Sequence, residues 1–331
     1  MSFIDFDKLF ATFSQIKVGV IGDVMLDTYL WGHVERISPE APVPVVALDK
    51  KELRMGGAGN VALNLVSLGA RVSIISTTGL DDDGRSLKEL FESKKINTDY
   101  LLQSDKRITT NKARIISRNQ QMMRLDSEIT RDLDQEDEKA LLNNIHSYIV
   151  TEKPAVIIFE DYNKGVLTES LINDIIAICR EHKVVTAVDP KRKNFFSYRD
   201  VDIFKPNLKE VKDGLNLLLE DVNHETLNDI HRQLYARLNH RISFITLSEK
   251  GVYYQDHNSA KIVPSHIRNI ADVSGAGDTV IAVASLIYAA TLRVDIMAEV
   301  ANIAGGLVCE EVGTAAIDKD KLLHECKLLL Q

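Results

Sequence analysis

At 331 residues, with 40 basic against 48 acidic side chains and a formal charge of -8, the chain offers neither nucleic acid nor an anionic membrane surface a net electrostatic attraction. Hydrophobic residues at 45% and charged residues at 27% exclude a disordered or fibrous chain. The length exceeds that of a typical domain, so the expectation is one large α/β unit over 1–331 carrying a small appended element.

The opening stretch, MSFIDFDKLFATFSQ, has acids and no basic region ahead of an apolar run, so it does not read as a secretory signal, and a cytoplasmic protein is expected. Short β-branched runs follow at 18–23 (VGVIGD), 72–77, 155–161 (AVIIFED), 184–189 (VVTAVD) and 242–248. Their apolar character is nearly continuous, as strands buried on both faces require, and a doubly wound, mostly parallel sheet is predicted. Helices are expected between them, at 60–68, 86–93, 168–179 and 277–290. Two stretches, 29–54 and 107–125, alternate partially and hold Pro39, Pro42 and Pro44. They suit a small β-sheet lid, with the prolines at edges or turns. The acidic runs at 81–83 and 132–138 read as solvated loop or helix-start charge. Cys179, Cys309 and Cys326 are far apart without metal or disulfide spacing. The longest apolar run, 280–290, falls short of the roughly 20 residues that cross a bilayer.

Two segments carry chemistry. In RMGGAGNVALNLVSLGA (54–70), glycines that include Gly57 permit close backbone approach to a ligand, and Asn60 can donate to and accept from hydroxyls. The same glycines match a dinucleotide-binding pattern, with acids at 81–83. The charged ALDKKELRM that precedes them argues against the buried first strand which that pattern needs. A P-loop is absent. The second segment, DVSGAGDTVIAVASLIYAA from Asp272, places Gly275, Ala276 and Gly277 at the start of an apolar helix. Such a start is an anion hole, and Asp278 in the first turn can take the proton of a hydroxyl being phosphorylated. Asp278 could equally do no more than complement the helix dipole.

Together these segments resemble the two signature patterns of the PfkB, or ribokinase-like, carbohydrate kinases, with Val283 where the pattern has Ala or Gly. The resemblance runs over essentially the whole chain. Within the family it is strongest to the D-glycero-β-D-manno-heptose 7-phosphate kinases, on the strings RISPEAPVPV (36–45), SRNQQ (117–121) followed by RLD (124–126), and DYNKG (161–165). It implies a ribokinase-like fold with a β-sheet lid, ATP with Mg²⁺, and phosphorylation of the anomeric hydroxyl of the heptose 7-phosphate in ADP-heptose and lipopolysaccharide-core synthesis. Many such relatives carry a further cytidylyl- or adenylyltransferase-like domain behind the kinase; this chain ends before any such domain, so a kinase alone is expected.

By resemblance, Asp27 is a sugar ligand at the end of the first strand, joined by Gly57, Asn60, Asp161 and Lys164. Asn207 and Glu210 match the family's NxxE element, with Glu210 reaching the metal through water, and Ser248, Lys250, Gly251 and Asn302 border the nucleotide. Lys191 is a weaker pocket candidate. A second substrate phosphate needs cations, and Lys112, Arg114, Arg118 and Arg124 lie in the lid; alternation puts Lys112 and Arg114 on one face. A lid with one apolar face predicts a homodimer formed through it. A kinase for another sugar, sugar phosphate or nucleoside, and a non-catalytic sugar- or nucleotide-binding regulator, are the alternatives.

Overall fold

The computed structural model describes residues 4–118, 120–218, 221–266, 268–311 and 313–330. Met1–Phe3 of the opening stretch and Asn119 of the 117–121 string lie outside them.

The chain enters through α1 (Phe6–Thr12), capped by the Asp5 side chain, and passes into β1 (Lys17–Gly22) at the heart of the main sheet. Two long antiparallel strands follow, β2 (Val24–Ile37) and β3 (Pro44–Gly57), and β3 runs straight into α2 (Ala58–Ser67). Next come β4 (Arg71–Ile75), β5 (Thr77–Gly79), α3 (Asp82–Ser93), β6 (Leu102–Ser104), β7 (Asn111–Ser117), β8 (Gln120–Ser127) and α4 (Gln135–Glu152). The regular alternation then sets in with β9 (Val156–Glu160), α5 (Glu169–Glu181), β10 (Val185–Asp189), β11 (Ile203–Phe204), α6 (Leu208–Leu215), α7 (His224–Leu238) and β12 (Ile242–Thr246). A hairpin of β13 (Val252–Gln255) and β14 (Ala260–Val263) precedes α8 (Ala276–Thr291), α9 (Val294–Val308) and α10 (Lys319–Leu330).

Among the described residues the main sheet has eight strands in the order β14-β13-β12-β11-β10-β9-β1-β4. All pairs from β12 to β4 are parallel, and the hairpin closes one edge antiparallel. Each of the five β-branched runs is one of these parallel strands, sealed by an apolar layer on both faces: α2, α8 and α9 on one side, α4, α5 and α7 on the other. α8 is buried from Asp278 to Tyr288 without interruption, as an all-round apolar helix demands. None of the helices among the described residues is long and apolar enough to cross a membrane.

The lid is a second sheet, β3-β2-β7-β8. It is larger than its alternation indicated: a single residue, Asp23, separates β2 from the end of β1, and β3 continues through Gly56 and Gly57. Two expectations change with it. Asp27 stands inside the lid strand β2, not at the end of the first main strand. The glycine segment leaves a lid strand rather than a buried first strand, which removes the dinucleotide-binding reading; Asp81 of the acidic run caps α3. Pro44 opens β3, an edge strand, and Pro39 and Pro42 lie in the turn before it.

Side chains cap α3, α4, α5, α6 and α7 at their starts, through Asp81, Asp134, Thr168, Asn207 and Asn223. α2 and α8 instead begin on Gly57 and Gly275 with no side-chain cap. Gly57 has φ 58 and ψ -133, and a Cβ there would stand 2.4 Å from the Asp23 carbonyl oxygen. Gly57→Ala should therefore lower unfolding free energy by roughly 1–3 kcal/mol. Urea titration reads this directly, and an unchanged midpoint would show that the lid–helix junction yields without cost.

Candidate active site

The carboxyl ends of β1, β9 and β10 lie side by side, with Gly22 in register with Glu160 and Glu160 with Asp189. Each of these strands delivers an acid there: Asp23, Glu160 and Asp189. The start of α8 arrives above them, and a Cβ on Gly277 would sit 3.7 Å from the Asp189 carboxylate and 3.9 Å from Lys205 Nζ. In an open parallel sheet this is where ligands bind.

Asp278 is 6% exposed. Its Oδ2 accepts from Asn60 Nδ2 at 2.7 Å and its Oδ1 from the Tyr162 hydroxyl at 2.9 Å. Burial pushes its carboxyl up to about 6; the Asn60 and Tyr162 donors and Lys205 pull downward, and Asp189 adds to the rise. Asn60 is held in turn by a relay through α2. Asn64 Nδ2 donates to the Asn60 carbonyl at 2.8 Å, while Asn64 Oδ1 accepts from Thr279 Oγ1 at 3.1 Å and from the Ile317 amide at 2.9 Å. Gly275, at φ 80, lies where a Cβ would come within 2.8 Å of Asn60 Nδ2. In the GAG turn the Ala276 amide goes to the Val273 carbonyl at 3.3 Å and the Thr279 amide to Gly275 at 3.0 Å. The Gly277 and Asp278 amides, inside the first turn, have no intrahelical acceptor and are the donors left for an anion.

Two lysines offset the acids. Lys205, 2% exposed, pairs with Asp189 at 2.8 Å, and Lys191 bridges Asp189 at 3.4 Å and Glu210 at 2.7 Å. Burial pushes Asp189 up, but these lysines outweigh it and hold the group below the usual carboxylate range. Glu160 is fully buried with neither carboxylate oxygen hydrogen-bonded, and burial, with Asp189 and Asp278 beside it, pushes it well above its usual value. Glu160, Asp189 and Asp278 present ligand oxygens all within 4.8 Å of one another. Hard carboxylate oxygens, one pair of them orphaned, suit Mg²⁺.

The remaining predicted residues fall into three groups. On the sugar side, Asp27 is buried and tied to Arg114 at 2.5 Å, and a Cβ on Gly56 would come within 2.3 Å of its Oδ2. Asp161, expected to face the sugar, is instead spent inside the protein: its oxygens accept from the Asn163 amide at 2.8 Å, Asn194 at 3.0 Å and the Tyr198 hydroxyl at 2.8 Å. Lys164 pairs with Glu128 at 2.7 Å.

Of the lid cations, Arg124 is exposed and pairs with Asp126, and Arg118 is an exposed residue at φ 48 between β7 and β8. Lys112 is half-buried, makes no ion pair among the described residues, and sits 5.9 Å from the centre of the Tyr162 ring. Burial, with Lys164 nearby, holds its ammonium below the usual lysine value.

On the nucleotide side, Asn207 and Glu210 form a reciprocal capping box at the start of α6, each accepting from the other's backbone amide at 2.8 Å. The other Glu210 oxygen accepts from Lys191 at 2.7 Å, and the metal-ligand candidates extend to Glu160, whose oxygens are unpartnered, and its neighbour Asp189. Ser248 and Lys250 form the turn after β12; Gly251, at φ 93, packs against Val263 and Pro264, and Asn302 donates to the Pro264 carbonyl at 2.8 Å.

Asp23, Glu160, Tyr162, Asp189 and Lys205 were not among the predicted site residues. A signal for the acids was present: VGVIGD, AVIIFED and VVTAVD each close a parallel strand on acidic residues.

Comparison with known proteins agrees with this architecture. The profile of the "pfkB family carbohydrate kinase" matches residues 15–321. The "Bifunctional protein HldE" of Aliarcobacter butzleri is 40% identical over 303 residues, covering 92% of this chain and 63% of that protein. That of Geobacter sulfurreducens is 36% identical over 318 residues, covering 96% and 64%. The chain thus spans just under two thirds of the length of these relatives. Among solved structures, phosphofructokinase-2 from Escherichia coli in complex with potassium superposes with a TM-score of 0.79 at 15% identity, covering 96% of this chain and all of that one. Arabidopsis thaliana ribokinase complexed with ribose and ATP gives 0.70 at 15%, covering 93% and 98%. On the profile match and these relatives, the chain belongs to the pfkB family of carbohydrate kinases.

Proposed function

We propose that the protein transfers the γ-phosphoryl group of ATP to the anomeric hydroxyl of D-glycero-D-manno-heptose 7-phosphate, giving the 1,7-bisphosphate used toward ADP-heptose and the lipopolysaccharide core. The observation that carries this reading is the pairing of a buried base with an unpaired cation. Asp278 lies at an uncapped helix start, and one tyrosine ring away Lys112 has no ion pair among the described residues.

In the reaction, the sugar O–H gives its proton to an Asp278 oxygen as its oxygen bonds to the γ-phosphorus. The bond from that phosphorus to the β–γ bridging oxygen breaks, and ADP leaves with the electron pair. Because Asp278 sits at about 6, it is largely ionised at neutral pH and ready to accept. The Gly277 and Asp278 amides take the charge that develops on the transferring group. Mg²⁺ would be held by Glu160 and Asp189 and would neutralise phosphate charge. Lys205 and Lys191 keep Asp189 anionic for that role. Asp27, Gly57 and Asn60 would line the sugar, Asn207 and Glu210 fix the α6 start beneath the phosphates, and Ser248, Lys250, Gly251 and Asn302 border the nucleotide. A cytoplasmic setting follows from the need for ATP.

The lid favours a dimer. Met123 and Leu125, two apart on β8, are 54% and 52% exposed, and Ile37 and Leu48 on the other lid strands are 60% and 59% exposed. Such a surface is stabilised by burial against a second lid.

The test is ADP release with Mg²⁺·ATP and D-glycero-D-manno-heptose 7-phosphate, the unphosphorylated heptose, fructose 6-phosphate, ribose or adenosine, alongside sedimentation for mass. A kcat/KM far higher for the heptose phosphate than for any other acceptor, with a residual rate on the unphosphorylated heptose, in a particle of two chains, is the expected result. Preference for another acceptor would keep the kinase and remove the heptose, and sedimentation as a single chain would remove the lid dimer.

A further inference from the structure

The two donors on Asp278 come from different parts of the chain, Asn60 from α2 and Tyr162 from the loop after β9. Both parts are anchored on one residue. Asp23 is 1% exposed at the crossing from β1 into β2. Its main-chain carbonyl accepts from the Ala58 amide at 3.0 Å and so seats the first turn of α2, two residues before Asn60. Its carboxylate turns the other way and accepts three amides of the loop: Tyr162 at 2.8 Å and Lys164 at 2.9 Å on Oδ2, and Val166 at 3.1 Å on Oδ1. Its own amide donates to the Glu160 carbonyl at 3.0 Å, which fixes where that loop departs.

We propose that Asp23 is the positioning residue of the catalytic centre: its carbonyl places Asn60 and its carboxylate places Tyr162, so that one residue aims both donors at Asp278. The inference rests on the reading of Asp278 as the base. An acid is needed because only a carboxylate offers acceptors on both oxygens to three converging N–H groups. Asp161 and Arg107 brace the same loop, Asp161 through the Asn163 amide and Arg107 through the Lys164 carbonyl. Neither reaches the Tyr162 amide, and that contact belongs to Asp23.

Asp23→Asn turns one acceptor into an NH₂ facing amide N–H groups and releases at least one of the three bonds. The expected result is a fall in kcat of roughly 10- to 100-fold, the scale of a misplaced catalytic group, with KM for ATP unchanged. Tyr162→Phe should lower kcat within the same range, and the double variant should be no slower than the slower single one, because Asp23 acts through Tyr162. Multiplying losses in the double variant, or a lowered melting temperature with kcat intact, would overturn the proposal. Should Asp23→Asn not fold, Gly165→Ala displaces the same loop, since Gly165 has φ 85 and its Cβ would meet the Arg131 carbonyl oxygen at 2.1 Å. An unchanged kcat there would equally overturn it. The underlying base assignment is separated by Asp278→Asn. If that variant keeps its turnover, the base reading fails, whereas normal turnover in Asp23→Asn beside an inactive Asp278→Asn removes Asp23 alone.

Discussion

Asp278→Asn should lower kcat by roughly 10²- to 10⁴-fold, the range for loss of a general base, while ADP binds as before. The substitution keeps the shape of the side chain and removes the charge and one acceptor. Two donors, Asn60 Nδ2 and the Tyr162 hydroxyl, converge on the native carboxylate, so an amide leaves one of them facing an N–H₂ group. That mismatch costs about 1–3 kcal/mol of stability where the group is buried, and a melting curve recorded beside the kinetics measures it. The kinetic loss is larger because the proton of the attacking hydroxyl then has no strong acceptor within reach. The amides of Gly277 and Asp278 still stabilise the transferring phosphoryl group, so a residual rate should remain. Near-wild-type kcat in a folded Asp278→Asn protein would transfer the role to another group, with Glu160 the first to examine, since it is fully buried within 4.8 Å of Asp278.

How far this centre is legible in the sequence depends on whether a residue's role is local. Gly275–Asp278 could be read because a tight turn, a helix start and an acid in the first turn are consecutive residues with one geometric meaning. The five parallel strands could be read because double burial leaves a continuous apolar run. β11 could not, being two residues long, and the lid was underestimated because β2 and β3 are stabilised by pairing with each other and with β7, contacts that leave only partial alternation. The NxxE element is legible in two ways. Asn207 and Glu210 do satisfy each other as a capping box, so their spacing is fully explained by the helix start they stabilise. Lys191 is what ties Glu210 to the site. Asp161 and Asp23 are both acids at strand ends in one neighbourhood, yet one braces a loop through Tyr198 and Asn194 while the other holds the loop that carries Tyr162. No periodicity separates those roles; only the partners do.

Lys112→Met should weaken a phosphorylated acceptor selectively, with kcat/KM for the heptose 7-phosphate falling roughly 10- to 150-fold, the equivalent of losing about 1.5–3 kcal/mol from one charge-assisted contact. The other lid cations are already engaged or far out: Arg114 is held by Asp27, Arg124 by Asp126, and Arg118 is exposed between two strands. Lys164 faces Glu128. Lys112 alone of these is half-buried without an ion pair among the described residues, and a partly desolvated ammonium gains most from an incoming dianion. Tyr162 links the two groups, with its ring 5.9 Å from Lys112 Nζ and its hydroxyl 2.9 Å from Asp278 Oδ1, so the phosphate and the reacting hydroxyl would bind around one aromatic residue. Methionine preserves the length of the stem and its packing while deleting the charge. The loss should appear in KM, since the distal phosphate is bound equally before and during transfer. KM for ATP should not move, and the unphosphorylated heptose should react equally with variant and wild type. An equal loss on both acceptors would mean that Lys112 supports the lid or the tyrosine instead of the phosphate, and any preference for a sugar phosphate would have to come from outside these five cations.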